Sequence, residues 1–365
     1  MNFNKLIVVF SLVIMALGLA PKAHAAEEAA QAGEEKKGFN ATEVIFGHIA
    51  DSHEWHLFDL NGSPVAFPLP VVVYGANGLQ VFSAGHFEEW HESEDGKLQI
   101  SNSYNGMHLE KGMKEKLVAD DGSSIYDLSL TKNVVSMIIG VILLLWVMTS
   151  AAKKYKAKGS MTAPSGMQNG LEAVIIFMRD EVARPNLGHK ANKFMPLILT
   201  IFFFIWINNL LGLLPGGANF TGNIAVTCCL AIVSFIVMLF NSNKHFWSHL
   251  LNPPNVPFPI NILLVIIELL SLLIKPIALM IRLFANMLAG HIVILSVISM
   301  IFIFGALNKF VGIGFVPVSL AFSVFMFMLE LLVAAIQAFI FANLTAVFLG
   351  QAIEEGHGHE NEIIA

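Results

Sequence analysis

The sequence predicts an all-α polytopic membrane protein that carries a small β-rich domain at its N-terminal end. Of its 365 residues, 55% are hydrophobic and only 13% are charged, and the mean hydropathy is +0.67. A soluble domain has about a quarter charged residues. Long apolar stretches follow residue 130, and the polar region before them contains Asn-Gly pairs between short runs of strand-forming residues. These observations exclude an ordinary cytosolic globular protein.

Charge divides the chain near residue 130. Residues 26–130 carry 18 acidic and 6 basic side chains, whereas residues 131–352 carry 5 acidic and 13 basic ones. The net charge of −6 gives no reason to expect a nucleic-acid partner, and two cysteines exclude a disulfide framework. We expect a signal peptide at 1–25, an acidic tether and β-rich extracytoplasmic domain at 26–130, a membrane domain at 131–353 and a polar cytoplasmic tail at 354–365.

The first 25 residues have the features of a secretory signal. Lys5 precedes the apolar run Leu6–Leu19, and Ala23-His24-Ala25 has the small-x-small pattern of a cleavage site. An uncleaved first helix is the alternative. Export by this signal would place the domain that follows outside the inner membrane.

The β-rich domain is predicted from three Asn-Gly pairs, which favour tight hairpin turns between strands. They are Asn61-Gly62, Asn77-Gly78 and Asn105-Gly106. We expect a small antiparallel meander.

Histidines of this domain are weak candidates for metal ligands. They are His48, His53, His56, His86 and His91. The segment His53-Glu54-Trp55-His56 is one residue short of the zinc-binding pattern H-E-x-x-H, and no cysteine reinforces a site. Solvated or capping histidines are the favoured alternative, so the sequence predicts neither a metal nor a cofactor.

Five membrane segments are predicted from apolar runs, because about 20 residues cross the hydrocarbon. They are Val134–Met148, Pro196–Leu214, Asn223–Phe240, Ile260–Ala306 and Phe310–Ile353. The last two are long enough for two spans each or for one steeply tilted helix. We favour long tilted helices that form an antiparallel hairpin. The four lysines after the first run indicate a cytoplasmic loop, and five spans then put the C-terminus in the cytoplasm.

Ionisable residues inside the two longest apolar runs are candidate functional groups, because a charge at membrane depth is costly. Glu268, Lys275 and Arg282 are spaced by seven, close to two helical turns, and Asn286 extends their stripe. For Lys275 alone, snorkelling or a packing ion pair is the favoured interpretation.

The second run adds Glu330 and Gln337, which also share a helix face. With a turn at Asn308-Lys309, an antiparallel hairpin would bring Arg282 level with Gln337 and His291 level with Glu330. A carboxylate and an imidazole can relay protons, whereas arginine stays charged. This combination indicates ion conduction, with structural ion pairs as the alternative.

At these residues the chain resembles the a subunit of rotary F-type ATP synthases, over about residues 131–353. The resemblance rests on LLSLLIKPIALMIRLFANMLAGH at 269–291, LELLVAAIQAFIFANLTAVFL at 329–349 and NNLLGLLPG at 208–216. It implies that Arg282 is the stator arginine facing a carboxylate of the c ring. The resemblance also implies that Glu268 lies near the inner half-channel. It assigns four positions to the outer half-channel: Asn286, His291, Glu330 and Gln337. Many bacterial members have the carboxylate and the imidazole exchanged between positions 291 and 330.

The resemblance also implies the protein's activity, its membrane and its partners. The protein would be a non-catalytic, proton-translocating subunit in the bacterial inner membrane. Its partners would be the c-subunit ring, the b-subunit peripheral stalk, the other F1Fo subunits and the lipid bilayer. The chain has no G-x-x-x-x-G-K-[ST] loop, which agrees with nucleotide chemistry on other subunits. The alternative is a secondary ion-coupled transporter with Lys275 and Glu268 at a mid-membrane site. A transporter of this kind would be expected to contain an inverted repeat.

Overall fold

A computed structural model describes residues 41–353, except for 61–62, 76–77, 89, 93–97, 101–102, 111–114, 159–165, 215 and 252–257. The predicted signal peptide, the tether at 26–40 and the tail at 354–365 lie outside the described residues. The chain divides into two compact units. The first unit consists of Met1–Val135, Leu214–Ala218 and Leu295–Phe322, and the second consists of Ser136–Leu213, Asn219–Ile294 and Ser323–Ala365.

Helices dominate the described chain after residue 131. The α-helices are α1 (Ala41–Ile49), α2 (Lys132–Lys158), α3 (Met167–Phe177), α4 (Arg184–Leu187), α5 (Ala191–Gly212), α6 (Ile224–Phe240), α7 (Lys244–Leu251), α8 (Phe258–Leu307) and α9 (Lys309–Ile353). A π-helical turn at Met178–Ala183 joins α3 to α4, and short 3-10 turns lie at Ala84–Glu88, Gly188–Lys190 and Phe220–Gly222.

The strands all precede α2. They are β1 (Glu54–Leu60), β2 (Ser63–Pro68), β3 (Pro70–Gly75), β4 (Gly78–Ser83), β5 (Trp90–Glu92), β6 (Leu98–Ile100), β7 (Ser103–Tyr104), β8 (Met107–Glu110), β9 (Lys116–Ala119) and β10 (Tyr126–Asp127). Each recorded pairing is antiparallel: β1 with β2, β5 with β6, and the sets β10–β3–β4 and β7–β8–β9.

The predicted β-rich domain is therefore present in the first unit. Asn105 and Gly106, between β7 and β8, have φ values of 52° and 72°. Two positive φ angles are what a type I′ hairpin turn requires, and asparagine and glycine adopt them at least cost. Residues Asn61, Gly62 and Asn77 of the other predicted turns lie outside the described residues. Side chains from Val71, Val73, Phe87, Met107 and Leu117 form the core of this domain.

Asp51 joins the β-rich domain to the start of α2. One of its carboxylate oxygens accepts a hydrogen bond from the Thr131 hydroxyl at 3.0 Å, and the other accepts one from the Asn133 backbone N–H at 3.3 Å. These bonds satisfy a donor at the helix N-terminus as a capping side chain does. The Trp55 indole N–H also donates to the carbonyl of Gly216 at 2.7 Å, in the loop between α5 and α6.

His53 is fully buried between two carboxylates. Its Nδ1 lies 3.4 Å from Oε2 of Glu115, and its Nε2 lies 3.3 Å from Oδ2 of Asp127. Burial by itself lowers the pKa of His53, but the hydrogen bonds to Asp127 and Glu115 outweigh it and raise the pKa to about 9. The pKa of Asp127 is shifted well below its usual range because His53 and Ser129 stabilise the ionised form against the opposing effect of burial.

Four helical segments of the described chain are long and apolar enough to cross a membrane. They are Lys132–Ala157, the run Met167–Gly212, Ile260–Leu307 and Lys309–Ile353. The third predicted span corresponds to α6, which has 17 residues and a length of about 25 Å, shorter than the ~30 Å of hydrocarbon. A mostly helical membrane protein is confirmed, whereas the number of five spans is not.

The two longest apolar runs are each a single helix, α8 with 50 residues and α9 with 45. Contacts near the turn at Asn308 show that α8 and α9 run antiparallel there. The Ser319 hydroxyl donates to the carbonyl of Val297 at 2.8 Å. The rings of Phe304 and Phe315 lie 4.9 Å apart.

The buried charge of His53 predicts that the stability of the β-rich domain depends on pH. Because its pKa is raised from 6.5 to about 9, its contribution is complete below pH ~6.5 and is lost as the pH rises through ~9. The pKa of Asp127 is shifted in the opposite direction, so its contribution to stability is lost in acid, as the pH falls below the ordinary pKa of 3.8. We expect His53→Gln to remove on the order of 2–3 kcal/mol of this domain's stability at pH 6 and to flatten the alkaline loss.

Hydrogen exchange of strands β1 and β9 in the full chain, measured from pH 6 to pH 9, would test this expectation. His108→Gln is a matched control, because its 2.6 Å pair with Asp120 is exposed and exposed pairs contribute little. Parallel pH curves for wild type and His53→Gln would contradict the assignment.

Candidate functional site

A buried carboxylate and imidazole meet between α8 and α9. His291 is 8% exposed and Glu330 is 4% exposed, and Nε2 of His291 lies 3.7 Å from Oε1 of Glu330. The two side chains predicted to be level are therefore together. Both oxygens of Glu330 are buried and accept no hydrogen bond from the described residues. A buried carboxylate without donors is costly to keep ionised, so it is suited to take up a proton or to contact water.

Gly290 provides the space that the Glu330 carboxylate occupies. A Cβ atom at residue 290 would overlap Oε1 and Cδ of Glu330. Any other residue would therefore displace the carboxylate or the helix that carries it. The sequence analysis did not single out this glycine, since its importance depends on a neighbour 40 residues away.

A second polar pair, the exposed Asn286 and the buried Gln337, lies two helical turns further along α9. Asn286 donates from Nδ2 to Oε1 of Gln337 at 3.0 Å. Gln337 is 1% exposed, and its Nε2 is buried without a hydrogen-bond acceptor among the described residues. Polar atoms that remain unsatisfied at such a position favour contact with water.

Arg282 is exposed on α8, one turn before Asn286. No hydrogen bond or ion pair joins Arg282 to the residues that the structure describes. Gln337 bonds to Asn286 rather than to Arg282. Equal index sums align backbones, whereas side chains reach several ångströms along the helix axis, so the level pairing of Arg282 with Gln337 stays a prediction. Exposed apolar residues at the same spacing of seven, Ile274 and Ile281, border the stripe that contains Arg282.

Glu268 and Lys275 line a cavity of about 430 Å³, together with Ser271 and Gln351. Lys275 donates from Nζ to Oε1 of Gln351 at 3.1 Å and lies 5.3 Å from the centre of the Phe348 ring. These contacts agree with a packing role for Lys275. Glu268 is separated from Arg282 by 14 residues, or ~21 Å along the helix.

Buried side chains that the sequence analysis did not single out lie beside the His291–Glu330 pair. Asn209 donates to the carbonyl of Ala334 at 3.3 Å and accepts from the Thr221 hydroxyl at 2.8 Å. Asn219 donates to the carbonyl of Met287 at 3.3 Å. Ala334 and Met287 are each one helical turn from the pair. Amides inside an apolar run were the available signal, since buried polar side chains need partners.

The N-terminal histidines whose side chains the structure describes form no metal centre. Within the described residues, no group of three or more histidine, cysteine, aspartate or glutamate side chains could hold a metal ion. His53 is occupied by its two carboxylates, and His86 stacks on Tyr104 with ring centres 4.7 Å apart. The carbonyl of His48 accepts from Nζ of Lys132 at 3.0 Å, and His56 lies in β1 opposite Ala66. Of His91 the structure describes only the backbone, in β5.

Comparison with known proteins gives two family matches. The profile of a family described as ATP synthase A chain matches residues 134–350, which is more than half of the chain. A second profile, described only as a domain of unknown function, matches residues 44–133. The boundary between the two matches coincides with the start of α2.

Several relatives are named as the same subunit. ATP synthase subunit a of Chloroherpeton thalassium is 43% identical over 246 residues, which cover 64% of this chain and 71% of the relative. ATP synthase subunit a 2 of Prosthecochloris aestuarii is 38% identical over 292 residues, covering 79% and 88%. ATP synthase subunit a of Anaeromyxobacter dehalogenans is 33% identical over 325 residues, covering 82% of each chain.

These matches favour the ATP synthase family over a secondary transporter. The family match extends over both long helices and the polar pairs between them. The chain belongs to the ATP synthase A chain family and is a non-catalytic, multi-pass channel subunit of the Fo sector in the inner membrane.

Proposed function

We propose that this chain is the proton-translocating stator of Fo, with two offset half-channels separated by Arg282. The observation that carries the proposal is the buried His291–Glu330 pair at 3.7 Å, on the same helices as an exposed arginine. An a subunit implies the c-ring, the b-subunit peripheral stalk and the other F1Fo subunits as partners.

The outer half-channel runs along Glu330, His291, Gln337 and Asn286. Glu330 accepts a proton from the outer side and exchanges it with the imidazole of His291, whose two nitrogens can accept and donate. The unsatisfied amide of Gln337 supports a hydrated continuation of this line toward the rotor. The proton then neutralises a carboxylate of the c-ring, which can rotate into lipid without a charge.

Arg282 separates the two half-channels. Its guanidinium stays protonated at physiological pH, so it cannot carry the proton itself, and it favours the ionised form of a rotor carboxylate that comes close. Its exposure on an apolar helix face and its lack of a partner in the described chain support contact with another subunit. Each proton that crosses ~100 mV releases ~2.3 kcal/mol, so several must pass for each ATP.

The inner half-channel begins at Glu268, which takes the proton after the rotor carboxylate has met Arg282. Glu268 and Arg282 are ~21 Å apart along α8, so the two half-channels are offset. Helices of ~75 Å and ~68 Å are far longer than ~30 Å of hydrocarbon, which supports steeply tilted helices. We further propose that residues 26–130 are exported after cleavage of the signal peptide and that the C-terminus is cytoplasmic.

Replacing Arg282 by alanine should abolish ATP-driven proton pumping while the complex still assembles. The side chain is exposed and bonds to no described residue, so its loss should leave the packing of the second unit intact. Acidification of inverted membrane vesicles, with subunit composition checked on the same membranes, measures both effects. Lys309→Ala, which removes an exposed cation at the turn between α8 and α9, should pump normally. Normal pumping by Arg282→Ala would contradict the proposal.

Glu330→Gln should slow passive proton flow through Fo by about 10²-fold, the usual effect of removing a proton-transferring group. Glutamine keeps the volume of the buried side chain but cannot titrate. Proton uptake by F1-stripped vesicles under a potassium diffusion potential measures the rate. Asp180→Asn makes the same chemical change at a more exposed site and should leave the rate unchanged. An unaltered rate in Glu330→Gln would count against the relay.

Gly290→Ala should also slow proton flow, because the new methyl group must displace the Glu330 carboxylate. We expect a decrease of roughly tenfold, smaller than that of Glu330→Gln, since the titrating group remains. Gly314→Ala is the matched control, because a Cβ there meets no atom within 4 Å. Equal rates for the two alanine variants would show that Gly290 does not position Glu330.

A further inference from the structure

The cavity that contains Glu268 has a wall from an element that the proposed mechanism does not use. Helix α7 contributes His245, Phe246 and Leu250 to a space of about 430 Å³, opposite Glu268 on α8 and Gln351 on α9. His245 is exposed, whereas Leu250 is buried. The short helix therefore packs by its apolar side and presents an imidazole at the cavity.

The start of α7 is fixed to the end of α9. Asn243, two residues before His245, donates from its backbone N–H to the carbonyl of Ala352 at 2.9 Å. Its side-chain amide donates to the carbonyl of Ile353 at 2.8 Å, which also accepts from Nζ of Lys190 at 3.2 Å. The last carbonyls of a helix lack intrahelical donors, so these bonds satisfy both segments. These bonds hold the chain two residues before His245.

The cavity has the size and chemistry to hold water. Water occupies about 30 Å³ per molecule in the liquid, and a site with several polar partners retains it. Glu268, Ser271, Lys275, Gln351 and His245 supply those partners. Lys275 is engaged with Gln351 and Phe348. The carboxylate of Glu268 and the imidazole of His245 line the same cavity, and an imidazole can both accept and donate a proton.

We propose that His245 is the proton-exchange residue at the inner mouth of the path. The proton that leaves the Glu268 carboxyl group crosses the cavity through water and binds the neutral imidazole of His245. The imidazolium then loses a proton to the cytoplasm and returns to the neutral form. In the pumping direction the same steps run in reverse. This inference rests on the proposed function and extends it by one residue.

Passive proton flow through the intact Fo sector tests the inference. F1-stripped inverted vesicles containing His245→Ala should take up protons at least fivefold more slowly than wild type, and His245→Gln should behave alike. Imidazole added at millimolar concentration should restore the rate of His245→Ala and leave the rates of wild type and Glu330→Gln unchanged. His189→Ala is the matched control, because His189 is an exposed histidine that does not line the cavity, and it should conduct at the wild-type rate.

Chemical rescue separates proton exchange from a packing role, because imidazole replaces a titrating group but not a helix contact. A wild-type rate in both His245 variants, or a low rate that imidazole does not restore, would overturn the inference. Glu268→Gln and Arg282→Ala, measured for flow and for pumping in the same membranes, test the proposed function separately. If these two are defective while the His245 variants are normal, only the assignment of His245 fails.

Discussion

Burial of a carboxylate among apolar helices is the constraint on which the second unit depends. An ionised carboxylate at such a depth is stable only with a partner, a proton or water. Glu330 has His291 at 3.7 Å, and it has room because residue 290 lacks a side chain. That room exists only where α8 and α9 run antiparallel in one register. The amides of Asn209 and Asn219 bond to backbone carbonyls one turn from the pair, so the neighbouring segments fix the same register.

The two long helices differ in the exposure of their charged side chains. Buried alanines and Phe341 of α9, with Leu279 and Leu283 of α8, belong to the core of the second unit, whereas many other apolar side chains of both helices are exposed. A helix with an open apolar face needs lipid or another protein against it. Arg282 is exposed on α8, whereas Glu330 is buried on α9. The exposed cation and the buried carboxylate therefore lie on different helices.

Much of this arrangement could be predicted from the sequence. Hydropathy gives the long helices, the spacing of seven gives their polar stripes, and the turn at Asn308 brings His291 to Glu330. The side chain that bonds to Gln337 is that of Asn286, which an index sum could not predict because it ignores the length and direction of side chains. The role of Gly290 and the network at Asn209 depend on contacts between distant segments, which no local pattern encodes. For α6, apolar composition predicted a span, which the 17-residue helix leaves unconfirmed.

The hydrogen bond from the Trp55 indole to Gly216 ties the β-rich domain to a loop between two membrane helices. An indole whose N–H is bonded to a carbonyl differs in emission from one that faces water. The chain has five tryptophans, and the difference between its spectrum and that of a Trp55→Phe variant isolates this one. The protein therefore carries its own optical reporter for the attachment of the β-rich domain to this loop, and it needs no added label.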